Sequence, residues 1–385
     1  MKQSDKTTLN NAIVHIGLFY FFYFSVVGIY IIFLPKLLLS DGLSAAQVGV
    51  IYGAGPFMRF LLPFAFWHLF HLTHSLFRFA LILGVISVLL MWFWVGNFWL
   101  YLIANLLFGA SAGAILPFVD TIALQTISKE LYGKARLWGS IGFMIVALVL
   151  GVHLGNIHHG IFALGIAVMA TMIAGYNIVK YDFEKQSNKN PREQNRDFSL
   201  LRYWAFWLSA FLLQVSFGGF YNFFTIYETA NGVSLQTAGY LWSFGVLCEI
   251  IIFYFQGSLL RENLLTLLKL ATATAILRWS LLYIFPHSLL AAYVSQSMHA
   301  FSFALYYTAI ISYVYRLYKQ KKLAQQFLLG LSYGLGGSLG AVIAGWIYDF
   351  DSNLLFGFEA FIAFLSLIFI YVHQKRREYT YVQDS

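Results

Sequence analysis

Twelve long apolar runs, separated by polar breaks, constrain the fold of this sequence more than any other feature. A helix needs about 20 apolar residues to cross the hydrocarbon core of a bilayer, and each run is close to that length. The runs, which we number as spans one to twelve, lie at 12–36, 46–69, 76–95, 98–127, 134–155, 160–179, 203–228, 237–259, 264–284, 288–315, 323–348 and 354–373. We therefore predict an all-α membrane protein with twelve transmembrane helices.

The composition agrees with a membrane protein, because 60% of the residues are hydrophobic and only 10% are charged. The first run is too long for a signal peptide, so we expect it to be retained. The single cysteine, Cys248, excludes an internal disulfide framework and a cysteine-based metal cluster. His68, His71 and His74 have no cysteine or acidic residue near them, so we expect neither a metal nor a cofactor. The P-loop pattern is missing, and we expect no ATP hydrolysis.

The positive charges indicate how the chain is oriented. With the N-terminus placed inside, all but three of the 24 Lys and Arg residues fall in inner segments. The exceptions are Lys36 in an outer loop and Arg59 and Arg278 within spans. By the positive-inside rule, both termini are then cytoplasmic in an inner membrane of bacterial type. The net charge of +8 reflects this orientation, and we expect the lipid bilayer, not nucleic acid, as the partner.

A polar stretch divides the sequence into two halves that resemble each other. We predict an N-terminal six-helix half at 1–180, a cytoplasmic linker at 181–202 and a C-terminal six-helix half at 203–385. At an offset of 190 residues the matching pairs are Gly28 and Gly218, Gly42 and Gly232, Ser44 and Ser234, Gly49 and Gly239, and Gly55 and Gly245. Such repeats are typical of secondary transporters, whose substrate site lies between the halves near the midplane. At the same offset, Arg59 corresponds to Glu249.

The segments YGKARLWGS (132–140) and AGYLWSFGVLCEIIIF (238–253) carry a family resemblance. They resemble the major facilitator superfamily and, within it, the oligosaccharide:proton symporter branch, most closely the phenylpropionic acid porters. The resemblance implies proton-coupled import of a small aromatic carboxylate such as 3-phenylpropionate, by a protein that acts as a monomer and is not an enzyme. The alternative that the same fold leaves open is a sugar or nucleoside proton symporter.

The sugar symporters of this branch suggest roles for five positions. By that resemblance Asp120 and Arg136 hold the substrate, Phe143 stacks on it, and Arg278 and His299 belong to the proton relay. Four positions that are charged in those symporters are uncharged here, namely Phe217, Val246, Ser302 and Tyr333. The proton relay must therefore differ from that of the sugar symporters.

Ionisable residues inside spans are costly, so each one calls for a functional hypothesis and a partner. We predict that Asp120 and Arg136 form a bidentate pair that takes part in substrate binding or proton transfer. The alternative is a purely structural contact that holds two adjacent helices together. His299 is the first choice for the coupling proton, and a neutral core histidine is the alternative. Glu249 is the nearest intramembrane carboxylate to complete the relay. The alternative is a plain charge pair, for which the resemblance implies Arg136 or Lys134 as the partner.

Further residues are candidates for contact with the substrate. Arg59 is suited to bind a carboxylate in bidentate geometry. Three arginines at membrane depth against Asp120 and Glu249 leave a formal surplus of +1, which favours an anion over a neutral sugar. Asn222, in the middle of span seven, and Trp242, in span eight, complete the predicted substrate-binding set, although most aromatic side chains in such a chain simply face lipid.

Overall fold

The computed structural model describes residues 3–68, 73–127, 129–179, 198–259 and 263–383, and within these ranges all regular structure is helical. The twelve predicted transmembrane helices are confirmed. Eight spans are single α-helices, at Ala45–His68, His74–Trp94, Phe98–Thr126, Lys129–Leu150, Ile157–Ile178, Leu235–Leu259, Leu264–Ile284 and Leu355–Gln383. Nine stretches of the described residues are long and apolar enough to cross a membrane without interruption.

The other four spans are composite helices. Span one runs through Gln3–Gly28, a π-helical segment at Ile29–Phe33 and Leu34–Ser40. Span ten runs through Leu289–Ser297, a π-helical segment at Ala300–Leu305 and Tyr306–Leu317. Span eleven runs through Lys321–Phe327, a π-helical segment at Leu328–Gly336 and Gly337–Phe350. Span seven consists of Trp204–Val215 and Gly218–Ala230, with a break between them. Such π-helical segments are frequent at functional sites.

Side-chain caps explain where several spans begin. Asn97 accepts a hydrogen bond from the amide of Leu100, and Asn156 accepts one from the amide of His159. Thr73, Asn263 and Ser288 cap spans three, nine and ten in the same way. Each cap satisfies an amide that has no partner within its own helix. The polar breaks in the sequence are therefore helix starts as well as loops.

The chain packs into two compact units. The first contains Met1–Asn190 and Leu235–Ser243, and the second contains Pro191–Ser234 and Phe244–Ser385. The predicted linker at 181–202 lies mostly outside the described residues, so the predicted boundaries of the two halves stay a prediction. In the first unit, spans three and four meet through stacked rings of Phe77 and Phe118, whose centroids are 4.3 Å apart. In the second, the buried rings of Phe217 and Trp279 join spans seven and nine.

The sequence repeat corresponds to a repeated local structure. Gly42 follows span one with φ of 106°, and Gly232 follows span seven with φ of 92°. In both loops the residue after this glycine donates its amide hydrogen to a carbonyl five residues earlier, from Leu43 to Leu38 and from Val233 to Glu228. A positive φ at this position favours glycine. The matching glycines therefore end equivalent helices in the two units.

Glycines also bring span eleven close to span seven within the second unit. A β-carbon on Gly218 would contact the backbone of Gly340, and one on Gly340 would contact the carbonyl of Val215. A β-carbon on Gly336 would lie 3.0 Å from the carbonyl oxygen of Phe211. Small residues permit this close approach of helix backbones in membranes. The glycine-rich part of span eleven thus packs on both sides of the break in span seven.

Candidate functional site

Asp120 and Arg136 lie near each other in the first unit, but they do not form the predicted bidentate pair. The Tyr20 hydroxyl donates to Asp120 Oδ1 at 2.6 Å, and the Tyr132 hydroxyl donates to the same oxygen at 3.3 Å. The Arg136 guanidinium carbon lies 4.9 Å from the ring centroid of Tyr20 and 4.4 Å from that of Phe24. Tyr20 therefore stands between the two charges, since its hydroxyl binds the carboxylate and its ring faces the guanidinium.

This arrangement leaves a donor of Arg136 unused. Its Nη1 is buried and has no hydrogen-bond partner among the described residues. A buried donor without an acceptor is costly, and a charged one especially so. The two rings beside it lie on one face of span one, because Tyr20 and Phe24 are four residues apart. Arg136 is thus a cation held by aromatic rings, with a donor open to an additional acceptor.

The tyrosines at this site were not predicted. Tyr20 is one of six consecutive aromatic residues in span one, FYFFYF at 19–24, and the sequence does not indicate which of them faces a charge. Tyr132 begins the segment YGKARLWGS, in which the two basic residues are the features that stand out in the sequence. A phenol hydroxyl within reach of a half-buried carboxylate is a sufficient partner, so Asp120 does not require Arg136.

Phe143 and Trp242 are brought together in the first unit. Both are buried, and their ring centroids are 6.2 Å apart at an interplanar angle of 60°. The helices that carry them touch closely at this point. A β-carbon on Gly239 would contact the carbonyl oxygen of Ala147, and the Ser243 hydroxyl donates to the carbonyl of Met144 at 3.4 Å. The start of span eight is therefore packed on span five.

Arg278 and His299 form the polar centre of the second unit. Arg278 is fully buried, and its Nη1 donates to His299 Nδ1 at 3.1 Å and to the Ser302 hydroxyl at 2.8 Å. Its Nε donates to the carbonyl oxygen of Ser295 at 2.9 Å. The ring of Phe303 stacks on His299 with a centroid distance of 5.1 Å. Ser302, which replaces an acidic residue of the sugar symporters, is thus a neutral acceptor for Arg278.

Glu249 lies beside this centre. Its Oε2 is 3.7 Å from Nε2 of His299, and its side chain is 16% exposed. Because Nδ1 accepts from Arg278, a neutral His299 carries its proton on Nε2, the nitrogen that faces Glu249. The structure therefore places Glu249, His299 and Arg278 in one row across spans eight, ten and nine. Their role in proton transfer stays a prediction.

Arg59 acts electrostatically on Tyr23, as Arg136 and Asp120 also do, whereas Asn222 belongs to the second unit. Arg59 is exposed, and its stem passes 3.6 Å from where a β-carbon on Gly113 would stand. The Asn222 amide nitrogen donates to the carbonyl oxygen of Gly218 at 2.7 Å, one turn earlier in its own helix. Asn222 thus satisfies a carbonyl beside the break in span seven and has its amide oxygen left for other contacts. Of the three sequence histidines near span two, His71 and the side chain of His68 lie outside the described residues.

Two buried carboxylates were missed in the sequence. Glu228, in the last turn of span seven, is 2% exposed, and Glu359, early in span twelve, is 1% exposed. Both fall within predicted spans, but near their ends, where charged residues are ordinarily solvated. With these two included, the arginines within spans no longer outnumber the carboxylates. The predicted surplus of +1 is therefore wrong, and any preference for an anion has to come from the surroundings of individual arginines.

Known proteins resemble this chain over most of its length. It is 28% identical over 365 residues to the probable 3-phenylpropionic acid transporter of Escherichia coli (strain K12), a match that covers 90% of this chain and 94% of that protein. It is 24% identical over 349 residues to the maltose permease of Geobacillus stearothermophilus, covering 86% of each. The crystal structure of the nucleoside transporter NupG has the same fold, with a TM-score of 0.77 at 16% identity over 95% of this chain and 98% of that one.

The family model described as "MFS_1 like family" matches residues 13–358. This range includes Tyr20, Asp120, Arg136, Glu249 and His299, and it extends through both units of the structure. The predicted superfamily is therefore confirmed. The chain belongs to the MFS_1 like family of the major facilitator superfamily, and it is a multi-pass membrane transporter and not an enzyme.

Proposed function

We propose that this protein is a proton-coupled secondary transporter that imports a small aromatic carboxylate of the 3-phenylpropionate type. The observation that carries the proposal is Arg136, a half-buried cation with aromatic rings beside it and a buried Nη1 donor without an acceptor among the described residues. A substrate carboxylate supplies the acceptor that this donor lacks. The name of the Escherichia coli relative supports the same class of substrate.

The surroundings of Arg136 favour a carboxylate on an aromatic body. A guanidinium binds a carboxylate through two parallel hydrogen bonds, which are stronger than bonds between neutral groups. Because Asp120 is engaged by Tyr20 and Tyr132, it does not neutralise Arg136 by direct pairing. Aromatic rings such as Phe24 offer the apolar surface that a phenyl group requires. Phe143 and Trp242, in the same unit, are the proposed aromatic contacts.

The coupling proton is assigned to the row formed by Glu249, His299 and Arg278. Glu249 is partly exposed and can exchange a proton with water, whereas His299 and Arg278 are buried. A proton on Glu249 removes its negative charge, and release of that proton restores a charged acceptor that faces the Nε2 hydrogen of His299. We propose that this exchange couples transport to the proton gradient, in a monomer whose termini are both cytoplasmic.

A sugar or nucleoside substrate is the second candidate, and one observation favours it. The Oδ1 atom of Asp120 accepts from two tyrosines, and the second carboxylate oxygen is available to accept from a substrate hydroxyl. The maltose permease relative and the nucleoside transporter with the same fold belong to these classes by their names. A neutral polyol, however, offers the Nη1 of Arg136, which is unpartnered within the described residues, only a neutral acceptor, whereas a carboxylate offers a charged one.

Uptake by the purified protein in liposomes tests the proposal. Labelled 3-phenylpropionate is supplied with and without an inward proton gradient, and protein-free liposomes correct for passive entry of the neutral acid. We expect gradient-driven accumulation that unlabelled 3-phenylpropionate suppresses and that the matched amide, 3-phenylpropanamide, does not. Competition by maltose or a nucleoside alone would overturn the aromatic-acid substrate. Uptake that ignores the gradient would overturn proton coupling.

A further inference from the structure

A carboxylate of span twelve lies at the break in span seven. Glu359 is 1% exposed, and its Oε1 accepts a hydrogen bond from the amide of Gly219. The amide of Phe220 also donates to this carboxylate. These are amides of the first turn of Gly218–Ala230, which have no partners within that helix. Glu359 therefore caps the second half of span seven, and Gly219 has no room for a side chain because a β-carbon would contact the carboxylate.

The second oxygen of Glu359 has a different environment. Oε2 is buried, and among the described residues it has no hydrogen-bond partner. An ionised carboxylate spreads its charge over both oxygens, so an unsatisfied buried oxygen is costly. A neutral carboxyl that carries its proton on Oε2 keeps both amide bonds at Oε1. Protonation of Glu359 therefore costs none of the hydrogen bonds that the structure contains.

The charged and titratable groups near Glu359 determine whether its negative charge can be balanced. On the described helices packed against span twelve they are Tyr221, Tyr227, Glu228, Lys269, Arg278, Tyr283, Tyr348 and Asp349. Of these, Arg278 acts electrostatically on Glu359. Arg278 also has an Nη2 atom that is buried and unpartnered within the described chain. It is, however, the same arginine that donates to His299.

Arg278 thus contacts His299 and also acts electrostatically on Glu359. His299 is neutral when its Nδ1 accepts from Arg278, and its Nε2 faces Glu249. An ionised Glu359 places a negative charge in a buried position, and among the described residues Arg278 makes no hydrogen bond to it. Uncompensated buried charge is strongly unfavourable. A proton on Glu359 removes this charge and leaves the bonds from Arg278 to His299 and Ser302 unchanged.

We propose that Glu359 is a proton-binding carboxyl of this transporter, linked through Arg278 to His299, which faces Glu249. The inference deepens the proposed proton coupling by adding a second exchanging group, on a different helix. Proton loss strengthens the bonds from Gly219 and Phe220, because hydrogen bonds to a charged acceptor are roughly twice as strong as neutral ones. The protonation state of Glu359 thus sets how firmly the second half of span seven is tied to span twelve.

Infrared difference spectroscopy tests this proposal without any substrate. The purified protein in lipid is titrated with pH, and the carbonyl band of protonated carboxyls is followed. Glu359→Gln keeps an acceptor for the Gly219 amide, and we expect it to lose one pH-sensitive carboxyl band completely. Glu228→Gln is the matched control, since Glu228 is similarly buried in the same unit. The band lost in Glu359→Gln must persist in Glu228→Gln.

Two results would overturn the proposal. One is a pH-difference spectrum of Glu359→Gln identical to that of the unmodified protein, which would make Glu359 a fixed counter-ion. The other is loss of the same band in Glu228→Gln. If Glu359→Gln does not fold, Glu359→Asp replaces it; a shifted pH-sensitive band supports the proposal, and an unshifted one contradicts it. Because no substrate is used, failure of 3-phenylpropionate transport leaves this test unaffected, and the two proposals fail separately.

Discussion

At the scale of single residues, the proposed binding of a carboxylate substrate depends most on the guanidinium of Arg136. Replacing it by lysine keeps a positive charge but removes the planar donor pair. A hydrogen bond to a charged group contributes about 1.5–3 kcal/mol, so we expect Arg136→Lys to weaken binding of 3-phenylpropionate roughly tenfold or more. Equilibrium binding in detergent measures this change.

Lys134 provides the matched control for that measurement. It lies two residues before Arg136 and is exposed. An exposed charge contributes little to a buried contact, so we expect Lys134→Gln to bind the acid almost as the unmodified protein does. Equal losses in Lys134→Gln and Arg136→Lys would contradict a specific role for the guanidinium.

The hydroxyl of Tyr20 keeps Asp120 and Arg136 apart, and its removal gives a second prediction. Tyr20→Phe deletes the 2.6 Å hydrogen bond to Asp120 but keeps the ring beside Arg136. The carboxylate is then free to pair with Arg136 and to compete with the substrate. We expect weaker binding of the acid, again by equilibrium binding. Tyr132→Phe deletes only a 3.3 Å hydrogen bond and should weaken binding less. A larger effect of Tyr132→Phe would contradict the proposed separation of Asp120 from Arg136 by the Tyr20 hydroxyl.

The row of Glu249 and His299 gives a third prediction. Glu249→Gln and His299→Gln remove titration but retain polar side chains. We expect both variants to lose gradient-driven accumulation and to retain counterflow exchange, because exchange requires no net proton movement. Uptake and counterflow in the same liposome preparation measure the two activities. Equal loss of exchange would instead assign these residues to binding or folding.

The sequence predicted these residues better than it predicted their contacts. Glu249 was identified because charge inside an apolar run is costly, and Arg278 and His299 were identified for the same reason and by the resemblance to the sugar symporters. The structure places the three in one row. The pairing of Asp120 with Arg136 was wrong because tyrosine hydroxyls satisfy the carboxylate, and a sequence does not show which aromatic side chain points inward. Glu359 was missed because its partner is a backbone amide at a helix break, which no side-chain pattern indicates.

At the scale of elements, the close packing of span seven on span eleven predicts an asymmetry between glycines. A β-carbon on Gly340 would contact the Val215 carbonyl, whereas one on Gly55 would meet nothing within 4 Å. Overpacking costs typically 1–3 kcal/mol, so we expect Gly340→Ala to lower the thermal unfolding temperature in detergent. Gly55→Ala should leave it unchanged or raise it, because alanine favours a helix. Equal effects would contradict the close approach.

The sequence predicted the helices, but it did not predict the π-helical segments or the break in span seven. Apolar length and polar caps such as Asn97 define where spans begin. The π-helical segments in spans one, ten and eleven leave the apolar pattern unchanged, so the sequence does not indicate them. The break after Val215 in span seven also lies inside a continuous apolar run. It is stabilised by Glu359, which is more than a hundred residues away in sequence.

At the scale of the whole molecule, two independent signals predicted the architecture. Hydropathy gave twelve spans, and the glycine pairs at an offset of 190 gave a repeat whose loops at Gly42 and Gly232 share the same backbone conformation. The hydropathy signal is strong because lipid forces the backbone polar groups of a spanning segment to be satisfied within a helix or a closed barrel. The substrate does not follow from either signal, because the proteins similar to this chain include a probable 3-phenylpropionic acid transporter, a maltose permease and a nucleoside transporter.

The orientation of the chain rests on the distribution of Lys and Arg and gives a final prediction. Ser40 lies at the predicted outer end of span one and Lys319 in a predicted inner loop, and both are exposed. In a Cys248→Ser background, which removes the single native thiol, we expect a membrane-impermeant maleimide to label Ser40→Cys in intact cells. Lys319→Cys should react only after the cells are opened. The reverse pattern would contradict cytoplasmic termini, because basic loops resist translocation and Lys319 belongs to one of the most basic segments of the chain.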